Sequence, residues 1–378
     1  MNDLEIRIVK NRRDLRQFIQ FYYDMYRDNP YAVPYLYTDE MATLRRDKNP
    51  SFECCESEYF MAFRGDRMVG RVAAIINHRA NERWQVNQVR FGWFDFIDDI
   101  EVSGALLDAV AQWGRQRGMN QMAGPLGFID TDREGMLVEG FEELSTMYVN
   151  YNFPYYPDHM ERLGGFKHDN DYMEYRIRVP EKVPEKFAKI SEMIQQRYGL
   201  RVHKFTRHEL VHEGWGRKVF DLLNQTYSHL YGFSKLSDRQ IDKLVEDYIK
   251  IADMNLLAAV MDGDRMVGFG ITFPSFSRAL QQTRDGRLLP MGWWHLLKIL
   301  KWHKTDTVDL LLIGVLPEYR SKGANALIFS DLIQHFNSYG FRWAEAMPQM
   351  ERNEAVRSQW QYLESRQHRR HRCYRKDI

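Results

Sequence analysis

The sequence predicts a mixed α/β fold made of two copies of one unit, and three observations carry that prediction. The hexapeptide Gly65-Asp66-Arg67-Met68-Val69-Gly70 recurs as Gly263-Asp264-Arg265-Met266-Val267-Gly268, the strongest sign of duplication in the chain. Each copy is followed by the same order of elements: a strand, an intervening segment, a buried apolar strand (Arg90 to Phe96; Val308 to Leu316), a helix (Val102 to Arg117; Ala324 to Tyr339) and one more strand (Gln121 to Gly124; Arg342 to Ala346). Val308 to Leu316 is a nearly unbroken apolar run, as in strands buried on both faces, and Pro317 closes it because proline has no N–H to give a ladder.

Composition sets the outer bounds. At 378 residues the chain is long enough for two domains of ordinary size, and 44% hydrophobic against 28% charged side chains is a soluble globular balance. Its 53 basic and 52 acidic residues leave a net charge of +1, so a polyanion would have to be held by a local patch. Cys54, Cys55 and Cys373 give neither a metal-ligand spacing nor a disulfide framework, so a reducing cytoplasm and no metal are expected. The N-terminal stretch MNDLEIRIVKNRRDLRQ lacks the apolar core of a signal peptide, and no segment approaches the ~18 apolar residues of a spanning helix.

In chain order, Glu5 to Val9 alternates like a short strand, and Arg13 to Tyr26 sets Leu15, Phe18, Ile19, Tyr22 and Met25 on one helical stripe. Residues 29 to 56 are polar, Pro-containing and aromatic, with a short helix near Thr38 to Arg45. Tyr31, Tyr35 and Tyr37 there either line a pocket or, in the commoner use, pack irregular chain onto the core. Tyr59 to Asn77 reads as two strands about the turn Arg64-Gly65-Asp66-Arg67. Asp95, Asp98, Asp99 and Glu101 follow the first apolar strand with no base among them, and would repel a phosphate. The later segment from Gly124 to Tyr156 has the Gly, carboxylate and Tyr content of recognition loops; its Asp130, Asp132 and Glu134 lack the rest of a calcium loop and read as solvated turn carboxylates.

Pro180 and Pro184 mark the boundary between copies, and Glu185 to Tyr198 is an amphipathic helix that would bridge them. The expected division is 1–180, a linker helix over 181–199, and 200–378. The second copy also carries an insertion, Pro274 to Asp306, in which Pro290 to His303 is apolar, aromatic and basic. That composition suits an amphipathic membrane-surface helix, or, as the more ordinary reading, a helix packed across the domain junction with its lysines outward. The C-terminus, Arg366 to Lys376, has no acidic residue; Cys373 and Tyr374 make it a strand with basic faces in preference to a nucleic-acid-binding tail.

The chemistry is concentrated after Pro317. Arg320, Ser321, Lys322 and Gly323 form a basic, Gly-containing loop at a helix start, where N–H groups at the positive end of the dipole suit a phosphate; an ordinary strand-to-helix connection would look similar. The order R-x-x-G-x-N over Arg320, Gly323 and Asn325, after a V-x-P-E-Y strand end, resembles the acyl-CoA pyrophosphate loop of the GNAT (Gcn5-related) N-acyltransferases, usually Q/R-x-x-G-x-G/A. Asn325 stands where that pattern has Gly or Ala. The element order of each half is also similar to the GNAT fold, a mixed sheet whose middle strands splay to admit the cofactor, so the resemblance covers nearly the whole chain as two tandem copies. The acidic turn leaves the first copy without a cofactor site.

That resemblance implies an acyl-CoA-dependent N-acyltransferase, with acetyl-CoA or another acyl-CoA as cosubstrate and an amine as acceptor. It places the pyrophosphate on the backbone of Ser321, Lys322, Gly323, Ala324 and Asn325, with Arg320 and Lys322 adding charge. Backbone N–H groups at Val315 and Leu316 would receive the thioester carbonyl, and Asn353 opens a segment similar to the family's second cofactor-binding stretch, N-x-x-A-x-x-x-Y. An amine such as lysine, with its pKa of ~10.4, is mostly protonated at neutral pH, so a base is wanted, and Glu345 on the strand after the cofactor helix is the candidate. The family's Tyr, which often protonates the leaving thiolate, is Trp360 here. Tyr362 is then the nearest phenol; otherwise the thiolate leaves without a protein acid, or the copy only binds an acyl-CoA.

Overall fold

The computed structural model describes residues 4–353 and 358–378, and its strands form one continuous sheet. In chain order these are β1 (Leu4–Ile8), β2 (Cys55–Arg64), β3 (Arg67–Asn77), β4 (Gln88–Phe96), β5 (Gln121–Gly124), β6 (Met136–Glu139) and β7 (Lys167–Arg178). There follow β8 (Arg201–His203), β9 (Leu257–Asp262), β10 (Arg265–Pro274), β11 (Thr307–Val315), β12 (Trp343–Met350) and β13 (Ser365–Asp377). Across the sheet they run β1-β2-β3-β4-β5-β13-β7-β12-β11-β10-β9-β8, with β6 bonded to β13 off this path.

The two outer sets repeat one another. β2 to β4 and β9 to β11 are antiparallel, and each set then makes one parallel step, β4 to β5 through Arg90/Ala123 and β11 to β12 through Leu310/Ala346. At the centre the chain crosses over. β7, from the first half of the sequence, pairs with β12, while β13, the end of the chain, pairs with β5. A linear division into 1–180 and 200–378 therefore does not separate two sheets, because each half gives its last strand to the other.

Local signals set the element ends. The helix Ala324–Tyr339 begins after Gly323 at φ +87° and stops at Gly340 at φ +77°, whose N–H caps Asn337 and Phe336 carbonyls, as a left-handed glycine allows. Pro317 does more than end β11: it sits at the first position of a short helical turn, Pro317–Arg320, where its missing N–H costs nothing. The linker helix Glu185–Tyr198 lies against Ala324–Tyr339, with the Phe187 and Phe329 rings stacked at 5.9 Å.

The basic C-terminal strand is central and its cations are matched. Arg369 Nη2 lies 2.7 Å from Glu174, Arg372 holds both Asp171 oxygens at 2.8 and 2.9 Å, and Arg366 meets Glu143 at 2.7 Å. Arg370 meets Glu139 and Arg375 lies 3.8 Å from Asp169, so among the described residues most of the strand's positive charge is met by carboxylates of its own chain. Burial opposes the Glu174 charge, but Arg369 and then His371, 2.6 Å away, outweigh it and hold the carboxyl at about 2. A buried pair of this kind is expensive to break from one side.

Two outcomes follow from the crossed centre. Expressed alone, residues 1–180 and residues 181–378 should each fail to melt cooperatively by circular dichroism, whereas co-expressed they should co-purify and melt together; a monomeric 1–180 fragment with a sharp transition would show that the exchanged strands are dispensable. Arg369→Leu, which leaves Glu174 buried and unpaired on that side, should cost about 3–5 kcal/mol in urea unfolding.

Candidate active site

β11 and β12 pair only from Thr307/Trp343 to Leu310/Ala346, and then part. β11 continues alongside β10 to Val315, while β12 loses its ladder with β7 at Met347 and Pro348, a proline having no N–H to keep it. The gap is a cavity of about 390 Å³, walled by Leu310 to Val315, Ala346 to Met350, the helix Ala324–Tyr339 through Asn325, Ile328 and Phe329, and Thr226 and Tyr227 from the helix Trp215–Tyr227. A bulge marks its vertex. Ile271 pairs with Leu312 but Thr272 with Leu310, which makes Leu311 the extra residue.

Ladder parity decides which backbone groups face this gap. Leu316 N–H donates to Val267 O at 2.9 Å, so it is engaged with β10 and is not a free donor, contrary to expectation. Bonded pairs alternate along an antiparallel ladder, so Val315 and Ile313 turn their N–H and C=O groups toward the gap. Side chains on that side agree: Tyr227 Oη donates to Ile313 O at 3.1 Å, and Arg320 Nε donates to Val315 O at 3.0 Å. Among the described residues no acceptor meets Val315 N–H.

The first half is an internal control. Ile97 N–H donates to Val69 O at 3.0 Å, and Val69 and Val267 hold the same place in the repeated hexapeptide, so Phe96 corresponds to Val315. Here the position is closed. Phe96 N–H donates to Tyr156 Oη at 3.1 Å, Tyr155 Oη donates to Phe96 O at 2.6 Å, and the Tyr156 ring stacks on Phe96 at 4.1 Å. Leu126 N–H donates to Phe91 O at 2.8 Å, and in place of one open gap there are two smaller spaces, about 20 Å³ beside Phe94, Asp95 and Pro125 and about 120 Å³ beside Gly92, Trp93 and Leu126. The acidic turn is spent on structure: Asp99 caps the helix Ile100–Arg115 and meets Arg64 at 2.6 Å, and Asp98 meets His159 at 2.9 Å. Asp132 likewise accepts from Phe128 and Ile129 N–H, and Asp130 from Ser234 N–H. His168, Asp171 and Glu351 have metal-ligand spacing, but Arg372 already neutralises Asp171.

At the loop, a Cβ on Gly323 would stand 2.9 Å from Ile190 and 3.2 Å from Ile194, so packing as well as the positive φ requires glycine. The helix it opens has no side-chain cap, leaving the N–H groups of Ala324 and Asn325 at the positive end of the dipole; Asn325 lines the cavity. Ser321 closes the turn Pro317–Arg320. Arg320 borders the cavity but spends its guanidinium on Val315 O and Thr226 O, and the Lys322 ammonium lies 4.2 Å over the Tyr319 ring and 5.1 Å over Tyr198. Both therefore shape the loop more than they extend into the gap.

Asn353 and Trp360 line the cavity, and Trp360 Nε1 donates to Gln349 at 3.0 Å. The helix expected after Asn353 falls on residues 354–357, outside the described residues. Tyr362 is 45% exposed with the Lys186 ammonium 3.4 Å over its ring, and does not line the cavity. The phenol that does is Tyr227, pushed up to about 12 by burial. Nothing near the loop motif pointed to it, since it arrives from a helix some ninety positions earlier.

Glu345 is buried and also absent from the cavity wall. It sits in register with Asp309, one step before the vertex, on the face opposite that of Ala346. Its Oε2 lies 2.8 Å from His368 Nε2 and its Oε1 3.6 Å from Arg176. His368 Nδ1 lies 3.6 Å from Glu143, which reaches the surface. Both Asp309 oxygens are buried without a hydrogen-bond partner among the described residues, and burial, then the Glu345 charge, push that acid up to about 8. Asp309 and His368 were not anticipated, being recognisable only once β11, β12 and β13 are side by side.

No protein-family model matches the sequence. Over 379 residues, 99% of this chain and 95% of its relative, it is 24% identical to Protein YghO of Escherichia coli (strain K12). It is also 24% identical over 322 residues to the Bacterial ceramide synthase of Caulobacter vibrioides (strain NA1000 / CB15N), covering 84% of this chain and 82% of that one. Among solved structures, a tandem GNAT protein from the clavulanic acid biosynthesis pathway matches with a TM-score of 0.57 at 10% identity, over 99% of this chain and 98% of that one. The GCN5-related glucosamine N-acetyltransferase region of a fungal multi-domain GH3 β-N-acetylglucosaminidase matches at 0.55 and 12% identity, over 99% of this chain and 38% of that one. With the repeated hexapeptide, the two splayed strand pairs and this end-to-end match, the chain has a tandem GNAT fold.

Proposed function

We propose that the chain is an acyl-CoA-dependent N-acyltransferase that works at the β11/β12 gap, with the first half as scaffold. One contrast carries the reading: at equivalent backbone positions, Phe96 N–H is filled by a phenol of its own chain, whereas Val315 N–H faces an open cavity. Ala324 and Asn325 N–H groups, with the nearby charge of Arg320 and Lys322, suit the pyrophosphate. Val315 N–H then takes the pantetheine arm, and Asn353 and Trp360 form the far wall. From Val315 to the bulge at Leu311 is four residues, ~13 Å of strand, so the thioester lies toward the vertex and not at Val315–Leu316.

At the vertex the reacting amine meets the Asp309 and Glu345 carboxyls from the opposite face of the sheet. Glu345 takes the amine proton, with His368, 2.8 Å away, and then Glu143 the next ionisable groups toward the surface. Strand N–H groups at the bulge stabilise the charge that develops on the carbonyl oxygen, and Tyr227 is the phenol placed to return a proton to the thiolate. Similarity to a protein named a ceramide synthase, together with the apolar wall of the cavity, supports an acceptor or acyl chain of lipid character. A binding protein without turnover is the second reading, favoured by Trp360 in the usual Tyr place.

Acetyl-CoA or a longer acyl-CoA at 100 times its dissociation constant should stabilise the chain by about 2.7 kcal/mol, read as a rise in melting temperature. Asn325→Glu, which puts a charge at the helix start without disturbing Gly323 on Ile190, should remove that rise, and no rise in the unaltered chain would reject the cleft. Release of free thiol with an amine acceptor should grow as pH rises through about 8, where Asp309 beside Glu345 gives up its proton, and Glu345→Gln should slow it about 10²-fold or more. Saturable CoA binding with no thiol release across amines and amino lipids would favour the binding protein.

The same acid gives stability a sign. Unfolded, Asp309 loses its proton near pH ~4; folded, it keeps it to about 8, so its contribution to stability falls as pH rises through that window. Asp309→Asn should flatten this slope in urea titrations at pH 5 and pH 9.

A further inference from the structure

We propose that residues 287–304 dock the protein on an anionic lipid bilayer. The insertion leaves the sheet at Pro274, the end of β10, and returns at Thr307, the start of β11. Its helix Gly292–Trp302 has an inner face, Leu296, Ile299 and Leu300, packed on the core. The outer face is Trp293, Trp294, Leu297, Lys298, Lys301 and Trp302. A surface helix ordinarily turns polar residues outward; this one turns Trp293 and Trp302 outward, with Trp294 half-buried beside them.

The exposure is concentrated. Trp293 and Trp302 are each 45% exposed, Leu289 75% and Met291 56%. Nine large apolar side chains are exposed among the described residues, and five of them, Leu288, Leu289, Met291, Trp293 and Trp302, fall in this one stretch.

Charge selects the occupant. From Gly286 to Thr305 there is no carboxylate, while Arg287, Lys298, Lys301 and Lys304 are cationic. The Lys298 and Lys301 ammonium groups lie 5.5 and 5.2 Å over the Trp294 and Trp302 rings, so indole and cation share one edge. A second copy would bring its own lysines against these with no acid to meet them. An anionic bilayer offers phosphates to the lysines and an interfacial depth to the indoles. Thr307 precedes Asp309 by two residues, so the docked insertion adjoins the vertex of the gap, at the opposite end of β11 from the loop at Gly323. That the bilayer then supplies the amine or the acyl chain rests on the reading of the cleft; docking itself does not.

The test is co-sedimentation of the full chain with vesicles of phosphatidylcholine alone and of an equal mixture with phosphatidylglycerol, at low and high salt. Binding should be confined to the mixed vesicles, weaken with salt, and shift tryptophan emission to the blue. Trp293→Ser with Trp302→Ser should weaken it about tenfold or more, as should Lys298→Glu with Lys301→Glu, with melting temperature and the acyl-CoA-induced rise unchanged. Absence of binding to mixed vesicles at low salt, or binding that survives both double variants, would overturn the proposal. So would a dimer in gel filtration that the tryptophan variants dissociate, since the face would then belong to a second copy. Vesicle binding without any acyl-CoA effect would sink the cleft and leave the docking surface standing.

Discussion

Glu174 and Arg369 face each other across β7 and β13 with essentially no exposure, and both outer parts of the sheet hang from that pair. Desolvating two charges is costly, and the cost is offset in part by His371, 2.6 Å from Glu174, and by the Leu144 carbonyl, which accepts from Arg369. The hydrogen-bonded centre fixes the register of β5 against β13 and of β12 against β7. The place where β12 leaves β11 is therefore set from the middle of the molecule, not by the loop that carries the recognisable motif.

Given that frame, one architecture yields two opposite outcomes. Each half splays after the same parallel step, and each offers the cleft a backbone N–H at the same position. In the first, Tyr155, Tyr156 and Leu126 consume those groups; in the second, the carbonyls of Ile313 and Val315 are taken by Tyr227 and Arg320. The acidic turn noticed in the sequence is a secondary cause, since its carboxylates are engaged as a helix cap and ion pairs. What closes the first gap is shape and hydrogen-bond occupancy.

How much was legible in the sequence follows the range of the interactions. Gly323, Gly340 and Pro317 act over a turn, and their helix began and ended where expected. The repeated hexapeptide fixed the equivalence of the halves well enough to pair Phe96 with Val315. The role of Leu316 turns on one residue of ladder parity, which depends on its bond to Val267 and so on another strand. Tyr362 is merely near in sequence to the missing Tyr, while Tyr227 reaches the cavity from a distant helix. Glu345 is legible as a residue of the strand after the cleft helix, but its partners Asp309, Arg176 and His368 come from three other strands. The crossover itself left no local trace: β13 reads as a basic surface strand because the carboxylates that neutralise it lie on segments remote in sequence.

The position of β13 also bears on how the molecule comes into being. It is the last strand of the chain, 13 residues long, yet it fills the slot beside β5 that the first half needs early. On the ribosome the first half must wait with β5 unpaired at one edge until β13, some 240 residues later, has emerged, a long exposure for a strand edge in a growing chain. A chain truncated before β13 would leave both halves unfinished together, so the arrangement makes assembly all or nothing and ties the β11/β12 cleft to the synthesis of that strand.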